Sequence, residues 1–297
     1  MKHTTTMRRA AAAWLAAAAL GAVGSAQAQC LDDAQIQAWV TGYLDKTPVD
    51  NPPGDLSAAD GACTRAKFNA ALAQRLGKVV GYKAGLTNPA VQKRFNTDQP
   101  VWGKLYEGML LPNGATVPAR FGARPLFEAD LLLRVADPAA LKQARTPEQA
   151  LAAMDQLIPF MELPDLLVQA PPKLNGAGVS AINVGARLGV AGEPLAVPQD
   201  EAGRAALLQQ LKDMKVTLSD AQGKELGRGK GSDVLEHPLA AVLWLVQALG
   251  AEGIELQQGD VLSVGSFSPL LPPAAGQSAE LRYEGLAGAQ PVRVRFE

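Results

Sequence analysis

Apolar positions early in the chain recur every three or four residues, which is the spacing of one face of an α-helix. Asp32 and Asp33 precede this stripe as capping candidates, so the sequence predicts a helix that begins there. A proline-rich segment follows at residues 47–60 and predicts a loop, and a second helix is expected from about Gly61 to Leu76. The apolar stripe of the first helix consists of Ile36, Trp39, Val40 and Tyr43.

From Lys78 onward the pattern changes to short β-like runs separated by glycine- and proline-rich turns, with helices between some of them. Strands and helices do not alternate regularly, so the pattern predicts a mixed α+β fold rather than a doubly wound parallel sheet. The predicted strands lie at about residues 79–82, 131–135, 216–218, 261–264 and 292–296, and the predicted helices at about 147–157, 202–213 and 238–249.

The N-terminus has the three parts of an export signal. The cationic residues Lys2, Arg8 and Arg9 precede an apolar stretch at 10–23, which is too short for the roughly twenty residues that span a bilayer. Ala26-Gln27-Ala28 then gives the small-x-small pattern of a cleavage site. We therefore expect residues 1–28 to be removed and the protein to be periplasmic or secreted. The alternative is a buried alanine-rich helix, and the export route (general or twin-arginine) stays open.

Cys30 and Cys63 both remain after cleavage. In an oxidising compartment we expect them to form a disulfide, which would close a loop of about thirty residues and stabilise the fold by about 3–4 kcal/mol. Two buried, unpaired thiols are the alternative.

Composition narrows the class of protein. Hydrophobic residues make up 47% of the chain and charged residues 19%, a profile typical of a globular enzyme. The formal net charge of −1 gives no basic footprint for nucleic acid or for an anionic membrane. We expect a small-molecule partner and no membrane association after signal cleavage.

Histidine is scarce, and this restricts the chemistry. His3 leaves with the signal, so only His237 remains, and a multi-histidine zinc site within one chain is excluded. A metal would therefore be held by oxygen ligands. Glu128 and Asp130 lie two apart before an apolar run, so on a strand they would face the same side, and Glu162 is a third acid in apolar surroundings. Spacing alone leaves open that they are solvated carboxylates at a strand end.

Lys83 is the remaining candidate for chemistry. It lies between Gly81 and Gly85 after a predicted strand, where the backbone can approach a ligand closely. Such a lysine can bind a substrate carboxylate or move protons, although it could also be an ordinary surface lysine.

Four segments, taken together, resemble motifs of the fumarylacetoacetate hydrolase superfamily, in its branch of 2-keto-4-pentenoate hydratases and 2-oxo-3-hexenedioate decarboxylases. The resemblance covers about residues 78–297. The segments are Gly81-Tyr82-Lys83-Ala84-Gly85-Leu86-Thr87; Glu128-Ala129-Asp130 with Glu162; Ala181-Ile182-Asn183 with Gly189; and His237-Pro238-Leu239 followed by Gly259-Asp260-Val261 and Gly265-Ser266-Phe267-Ser268-Pro269.

The resemblance implies a mixed β-roll with peripheral helices, formed by a catalytic domain at 78–297 after an N-terminal helical segment at 29–77. It further implies a Mg²⁺- or Mn²⁺-dependent lyase, a hydratase or decarboxylase that acts on a small 2-oxo or 2-hydroxydienoic acid through a metal-stabilised enolate. A homodimer is also possible. The implied metal ligands are Glu128, Asp130 and Glu162, the implied catalytic residues are Lys83 and Glu128, and the implied substrate-binding residues are Lys83, Thr87, Asn183, Ser266 and Ser268.

Three residues depart from the branch. Asp130 replaces a glutamate, Ile182 replaces an acid, and His237 stands where asparagine is common. The Asp130 and Ile182 departures and the export signal favour an alternative, a non-catalytic periplasmic module that binds a small carboxylate. A C–C bond hydrolase is less favoured, because the related hydrolases use a histidine early in the domain, and after signal cleavage this chain has no histidine before His237.

Overall fold

The computed structural model describes Met1, His3 and residues 30–297, so the predicted cleavage site lies outside the described residues. Helices and strands are both present, as the predicted α+β fold requires. The helices are α1 (Asp33–Asp45), α2 (Ala58–Leu76), α3 (Pro89–Arg94), α4 (Pro138–Gln143), α5 (Pro147–Ala152), α6 (Gly176–Ala181), α7 (Glu201–Asp213) and α8 (Pro238–Ala251). The strands are β1 (Val79–Gly85), β2 (Val101–Tyr106), β3 (Leu110–Pro112), β4 (Ala115–Val117), β5 (Glu128–Val135), β6 (Met154–Leu163), β7 (Leu188–Ala191), β8 (Leu195–Ala196), β9 (Lys215–Asp220), β10 (Glu225–Lys230), β11 (Val261–Ser263), β12 (Ser278–Glu284) and β13 (Val292–Phe296).

Most predicted elements are confirmed, and their ends follow from capping. Asp32 caps α1 through a reciprocal pair of hydrogen bonds with Gln35, and Ser57 caps α2 in the same way with Asp60, so the predicted loop ends three residues early. The helix predicted at 147–157 is wrong beyond Ala152. From Met154 the chain forms β6, because both of its edges pair with neighbouring strands.

The strands form two sheets. The larger has the order β2-β1-β11-β5-β6-β7-β3, with β8 also paired to β6, and the smaller has the order β10-β9-β12-β13-β4. Pairing is mixed, since β1 runs parallel to β11 whereas β5 is antiparallel to both β11 and β6. This order sets β1, β5 and β6, which carry the predicted chemistry, close together in one sheet.

The N-terminal helices pack directly on the larger sheet. Trp39 and Phe68 meet edge to face with ring centroids 5.7 Å apart. They belong to the same apolar cluster as Leu132, Phe160 and Val261, which lie on strands of that sheet. The helical segment therefore shares its core with the sheet that holds the predicted site. Cys30 and Cys63 form a disulfide that ties the start of this segment to α2.

Tyr283 joins the two sheets next to the predicted site. It lies on β12, is 6% exposed, and donates its hydroxyl hydrogen bond to the backbone carbonyl of Asp130 on β5. The same hydroxyl accepts a hydrogen bond from the Phe160 backbone N–H on β6 at 3.1 Å. Burial raises the pKa of this tyrosine, so the hydroxyl stays protonated and can keep donating.

The segment Gly231–Ala251, which includes α8, is long and apolar enough to resemble a membrane span by composition, but Leu239, Val242 and Leu245 in it are fully buried in the core. His237 is the N-cap of α8. Its Nδ1 accepts a hydrogen bond from the Leu239 N–H at 3.0 Å. Histidine here therefore does the capping work that asparagine performs in many helices.

Candidate active site

Glu128 and Glu162 lie directly opposite each other on the antiparallel strands β5 and β6. Residues opposite each other in such a pair project from the same face of the sheet, with Cβ atoms about 5 Å apart. Both side chains are buried, with 6% and 2% of their surface exposed. Each carboxylate has one oxygen, Oε2, that is buried without a hydrogen-bond partner. The two acids therefore form a pair with unused acceptor capacity.

Asp130 lies on the same strand as Glu128 and is fully buried, but protein donors engage its carboxylate. Oδ1 accepts hydrogen bonds from the backbone N–H groups of Leu131 at 2.6 Å and Gly265 at 3.0 Å. Oδ2 accepts from the Ser263 hydroxyl. Asp130 therefore anchors the chain that follows β11, and only Oδ2 retains a free acceptor position.

Lys83 is in the middle of β1, two residues before its end, and is 3% exposed. Its ammonium forms an ion pair with Glu162 Oε1 and donates a second hydrogen bond to the carbonyl oxygen of Val184 at 2.9 Å. An ammonium has three donors, so one N–H remains for a ligand. The surface-lysine alternative is excluded by this burial.

A wide cavity of about 1300 Å³ opens beside these groups. Lys83, Thr87, Glu128, Ser266 and Ser268 line it directly. The two remaining predicted ligands, Asp130 and Glu162, lie behind this wall rather than on it, and so does Asn183. The predicted residues are thus gathered in one place, but at two depths.

Asn183 does not direct its side chain toward the cavity. It is 1% exposed, and its amide accepts a hydrogen bond from the Lys104 N–H at 2.7 Å and donates one to the Lys104 carbonyl at 3.0 Å. These contacts give Asn183 a structural place beside β2, and they lend no support to the predicted substrate contact. Its neighbour Ile182 is buried in the apolar cluster around the N-terminal helices.

The two serines have different surroundings. The Ser268 hydroxyl accepts a hydrogen bond from the Ala129 N–H at 3.0 Å, which holds the 266–268 segment against β5. The Ser266 hydroxyl donates to the Ser268 carbonyl at 2.5 Å and also lies within hydrogen-bonding range of Glu128. Thr87 is 3% exposed and packs against Gly265, which has a φ of 98° and no space for a side chain.

The electrostatics of the cluster are unbalanced. Three buried carboxylates, those of Glu128, Asp130 and Glu162, face a single buried ammonium, that of Lys83, which leaves two negative charges when all are ionised. Burial, reinforced by the charge of Glu162, raises the pKa of Glu128 well above its usual range. The same two causes raise the pKa of Asp130 to about 8. A divalent cation would neutralise the excess charge.

The fit to a metal rests on the Glu128–Glu162 pair. Two buried, unpartnered carboxylate oxygens on facing residues are donors of the kind that Mg²⁺ and Mn²⁺ prefer. Within the described part of the chain, no group of three or more His, Cys, Asp or Glu side chains is arranged to hold a metal. The Asp130 carboxylate is already bound by Ser263 and Gly265, so it has less capacity left for a cation than the two glutamates.

Sequence reasoning missed a rim of cations around the cavity. Arg124 donates a hydrogen bond to the Gln169 carbonyl, and Arg228 forms an ion pair with Glu225. Among residues 30–297, no ion pair is found for the other three members of the rim, Lys46, Arg94 and Arg120. The basic pair in Pro-Ala-Arg-Phe-Gly-Ala-Arg-Pro, just before the acidic strand, is the signal that would have revealed part of this rim. The members of the cationic rim are Lys46, Arg94, Arg120, Arg124 and Arg228.

His237 lies outside the lining of the cavity and is committed to the helix end described above. Its Nε2 faces the Leu208 carbonyl at 3.1 Å, so both ring nitrogens have backbone partners. Burial lowers its pKa, which favours this neutral, doubly bonded form. It is therefore unsuited to activate water in the cavity.

Curated relatives match most of the chain. A 2-hydroxyhexa-2,4-dienoate hydratase from Comamonas testosteroni is 31% identical over 70% of this chain and 76% of its own length. A 4-oxalocrotonate decarboxylase from Pseudomonas putida is 26% identical over 91% of this chain and 96% of its own length. No protein-family model matches the chain.

A solved structure shows the same fold. The 4-oxalocrotonate decarboxylase from Pseudomonas putida G7, complexed with magnesium and adipate, superposes with a TM-score of 0.77 at 22% sequence identity. The match covers 89% of this chain and 96% of that protein. The mixed β-roll predicted from the sequence is therefore confirmed.

The burial of the Glu128 carboxylate predicts that Glu128→Gln changes the free energy of unfolding in a pH-dependent way when a chelator keeps the protein metal-free. The pKa of Glu128 is raised above its ordinary 4.5 in the fold, so the carboxyl stabilises the fold below about pH 4.5 and this contribution is lost as pH rises through the raised value. Glutamine carries no charge to bury. We expect the variant to gain about 1–3 kcal/mol in free energy of unfolding at pH 8 and far less at pH 4.

Urea denaturation at both pH values measures this difference. Glu284→Gln, at an exposed position on β12, is the matched control and should change the free energy of unfolding little at either pH. A Glu128→Gln variant no more stable than wild type at pH 8 would contradict the unbalanced charge.

Proposed function

Because this chain belongs to the hydratase and decarboxylase branch of the fumarylacetoacetate hydrolase superfamily, we propose that it is a divalent-metal-dependent lyase for small 2-oxo or 2-hydroxydienoic acids. The observation that carries the proposal is the Glu128–Glu162 pair, with its two free buried oxygens beside Lys83 at the cavity wall. The relatives named above are a hydratase and a decarboxylase, and we propose that the reaction here passes through a metal-stabilised enolate.

Glu128 and Glu162 are the residues that would hold Mg²⁺ or Mn²⁺, and Asp130 becomes a third ligand only through its one free acceptor position. A cation bound there supplies Lewis acidity, which stabilises the negative charge that develops on the substrate's 2-oxo oxygen. The Asp130 side chain also accepts hydrogen bonds from the Ser263 hydroxyl and the Gly265 N–H. It fixes the segment of Gly265 and Ser266 that forms one side of the cavity.

Lys83 performs the steps that the protein contributes itself. Its free N–H can bind the substrate carboxylate, and its position between Glu162 and the cavity lets it deliver a proton to the substrate. Thr87 and Ser266 line the same wall and supply further hydroxyl groups. Hydration or decarboxylation needs no general-base histidine, which agrees with the commitment of His237 to a helix end.

An assay with Mg²⁺ or Mn²⁺ tests the function directly. The ultraviolet absorbance of 2-hydroxypenta-2,4-dienoate or 2-oxohex-3-enedioate should fall in the presence of the enzyme and metal, and should stay constant in chelator. Glu128→Gln should lower kcat by at least about 100-fold, since it removes a ligand and a charge. Ligand binding without any loss of absorbance would instead indicate the non-catalytic module.

The cationic rim favours a diacid as substrate. With one carboxylate of a 2-oxo acid engaged beside Lys83, a second anionic group at the far end of the molecule would face Arg94 and Arg120, for which the described residues 30–297 provide no ion-pair partner. Positive charge at a cavity mouth also raises the local concentration of an anionic substrate.

Neutralising one rim residue tests the diacid preference. Arg120→Gln should lower kcat/KM for 2-oxohex-3-enedioate by about two- to fivefold, because an exposed charge pair contributes up to about 1 kcal/mol. It should lower kcat/KM less for the monoacid 2-hydroxypenta-2,4-dienoate, which has only the general attraction of its single charge to lose. Arg75→Gln, an exposed arginine on α2 outside the cavity, is the matched control. Equal losses for both acids would rule out a role in recognising the second carboxylate.

The protein acts outside the cytoplasm, after removal of residues 1–28. This part of the proposal is supported by the three-part N-terminal signal and by the Cys30–Cys63 disulfide, since such bridges persist in oxidising compartments.

Expression with the native N-terminus tests this location. We expect protein in the periplasmic fraction that begins at Gln29 and contains no free thiol when denatured without reductant. Cys63→Ser should cost about 3–4 kcal/mol in free energy of unfolding, with Cys30→Ser/Cys63→Ser as the control for a stray thiol. Cytoplasmic protein with an intact leader and two free thiols would overturn the proposed location.

A further inference from the structure

The carbonyl that binds Lys83 comes from a strained turn. Asn183, Val184 and Gly185 have φ angles of 55°, 54° and 67°, all in the left-handed region. Valine is β-branched and rarely adopts this conformation, which costs on the order of 1–3 kcal/mol at such a residue. The Val184 carbonyl nevertheless lies 2.9 Å from Lys83 Nζ. Contacts around the turn must therefore impose this geometry.

Two neighbouring strands approach the turn closely. A Cβ at Gly103 on β2 would lie 2.5 Å from the Asn183 carbonyl oxygen, and a Cβ at Gly85 on β1 would lie 2.3 Å from the Val184 side chain. Hydrogen bonds from the Asn183 amide to both backbone groups of Lys104 fasten the turn to β2. The turn is held from the sheet side.

Asn69 holds the turn from the opposite side. It lies on α2, is 2% exposed, and donates a hydrogen bond from Nδ2 to Asn183 Oδ1 at 2.9 Å. The Tyr106 hydroxyl orients this amide by donating to Asn69 Oδ1, and it also lies 3.0 Å from the Asn69 backbone carbonyl. A buried amide is costly unless it is paired. The pairing of Asn69 is directed at the turn.

We propose that Asn69 is a positioning residue for Lys83. It completes a chain of contacts in which Tyr106 orients Asn69, Asn69 fixes Asn183, and the turn then presents the Val184 carbonyl to the Lys83 ammonium. The Val184 carbonyl and Glu162 together occupy two of the three donors of the ammonium, which leaves one N–H for a ligand in the cavity that Lys83 lines. The N-terminal helical segment thereby takes part in the site. The effect of Asn69 on catalysis rests on the proposed function, whereas its effect on the position of Lys83 rests on geometry alone.

Asn69→Leu tests the proposal, because leucine has nearly the same volume and leaves the Tyr106 hydroxyl its bond to the backbone carbonyl. In the enzyme with Mg²⁺ we expect kcat to fall about 10- to 100-fold, as a misplacement of about 1 Å can cause, with KM changed less than threefold. The matched control is Thr64→Val, which removes another fully buried polar group of α2, the acceptor of the Leu31 N–H. Thr64→Val should lower stability to a similar extent and leave kcat unchanged.

A second measurement uses the metal-free protein and no turnover. An amine-selective reagent with mass-spectrometric mapping reports how fast Lys83 is modified, relative to exposed Lys142. The rate at Lys83 should rise severalfold in Asn69→Leu and stay at the wild-type level in Thr64→Val. Unchanged kcat and unchanged Lys83 labelling in Asn69→Leu, or equal effects in Thr64→Val, would overturn the role of Asn69. Absence of turnover in wild type would refute the proposed function alone, since the labelling result does not depend on it.

Discussion

The site depends on a shortage of positive charge inside the larger sheet. Three carboxylates on β5 and β6 share one ammonium from β1, and none of them is exposed enough for water to stabilise the excess. Partners within the protein stabilise part of this cluster. Lys83 serves Glu162, and three protein donors serve Asp130. Glu128 and the remaining oxygen of Glu162 are left as the part of the cluster that can bind something else.

The surroundings divide the three acids into two kinds. Asp130, shorter by one methylene than the glutamate usual in this branch, reaches Ser263 and Gly265 and fastens the wall of the cavity. Glu128 reaches the cavity itself. Tyr283 from the smaller sheet binds the backbone of Asp130 and Phe160 and so keeps β5 and β6 in register at this point. The presence of aspartate instead of glutamate at position 130 therefore affects how the cavity wall is held as well as which groups can bind a cation.

Local patterns were sufficient for much of this arrangement, and distant contacts account for the rest. The spacing of apolar residues and the capping residues predicted α1, and the sequence pattern also predicted α2, α7 and α8. Alternate spacing placed Glu128 and Asp130 on one face of a strand. The helix prediction for residues 154–157 was wrong, because this segment becomes a strand through pairing with neighbouring strands on both sides. The hydrogen-bond partners of Asn183 could not be predicted from local patterns either, since Asn69 and Lys104 are distant in sequence. The left-handed Val184 has no local signature at all, as valine is among the residues least suited to it.

The order of strands has a consequence for how the protein acquires its structure. β1, which carries Lys83, is flanked by β2 on one side, but its partner on the other side is β11, about 180 residues later in the chain. β11 also separates β1 from β5, so the lysine and the acids cannot be fixed in register until the last quarter of the chain has been made. Until then β1 and β5 each expose an unpaired edge, which is a hazard for aggregation. The charges of the site thus come together late, after most of the core can form.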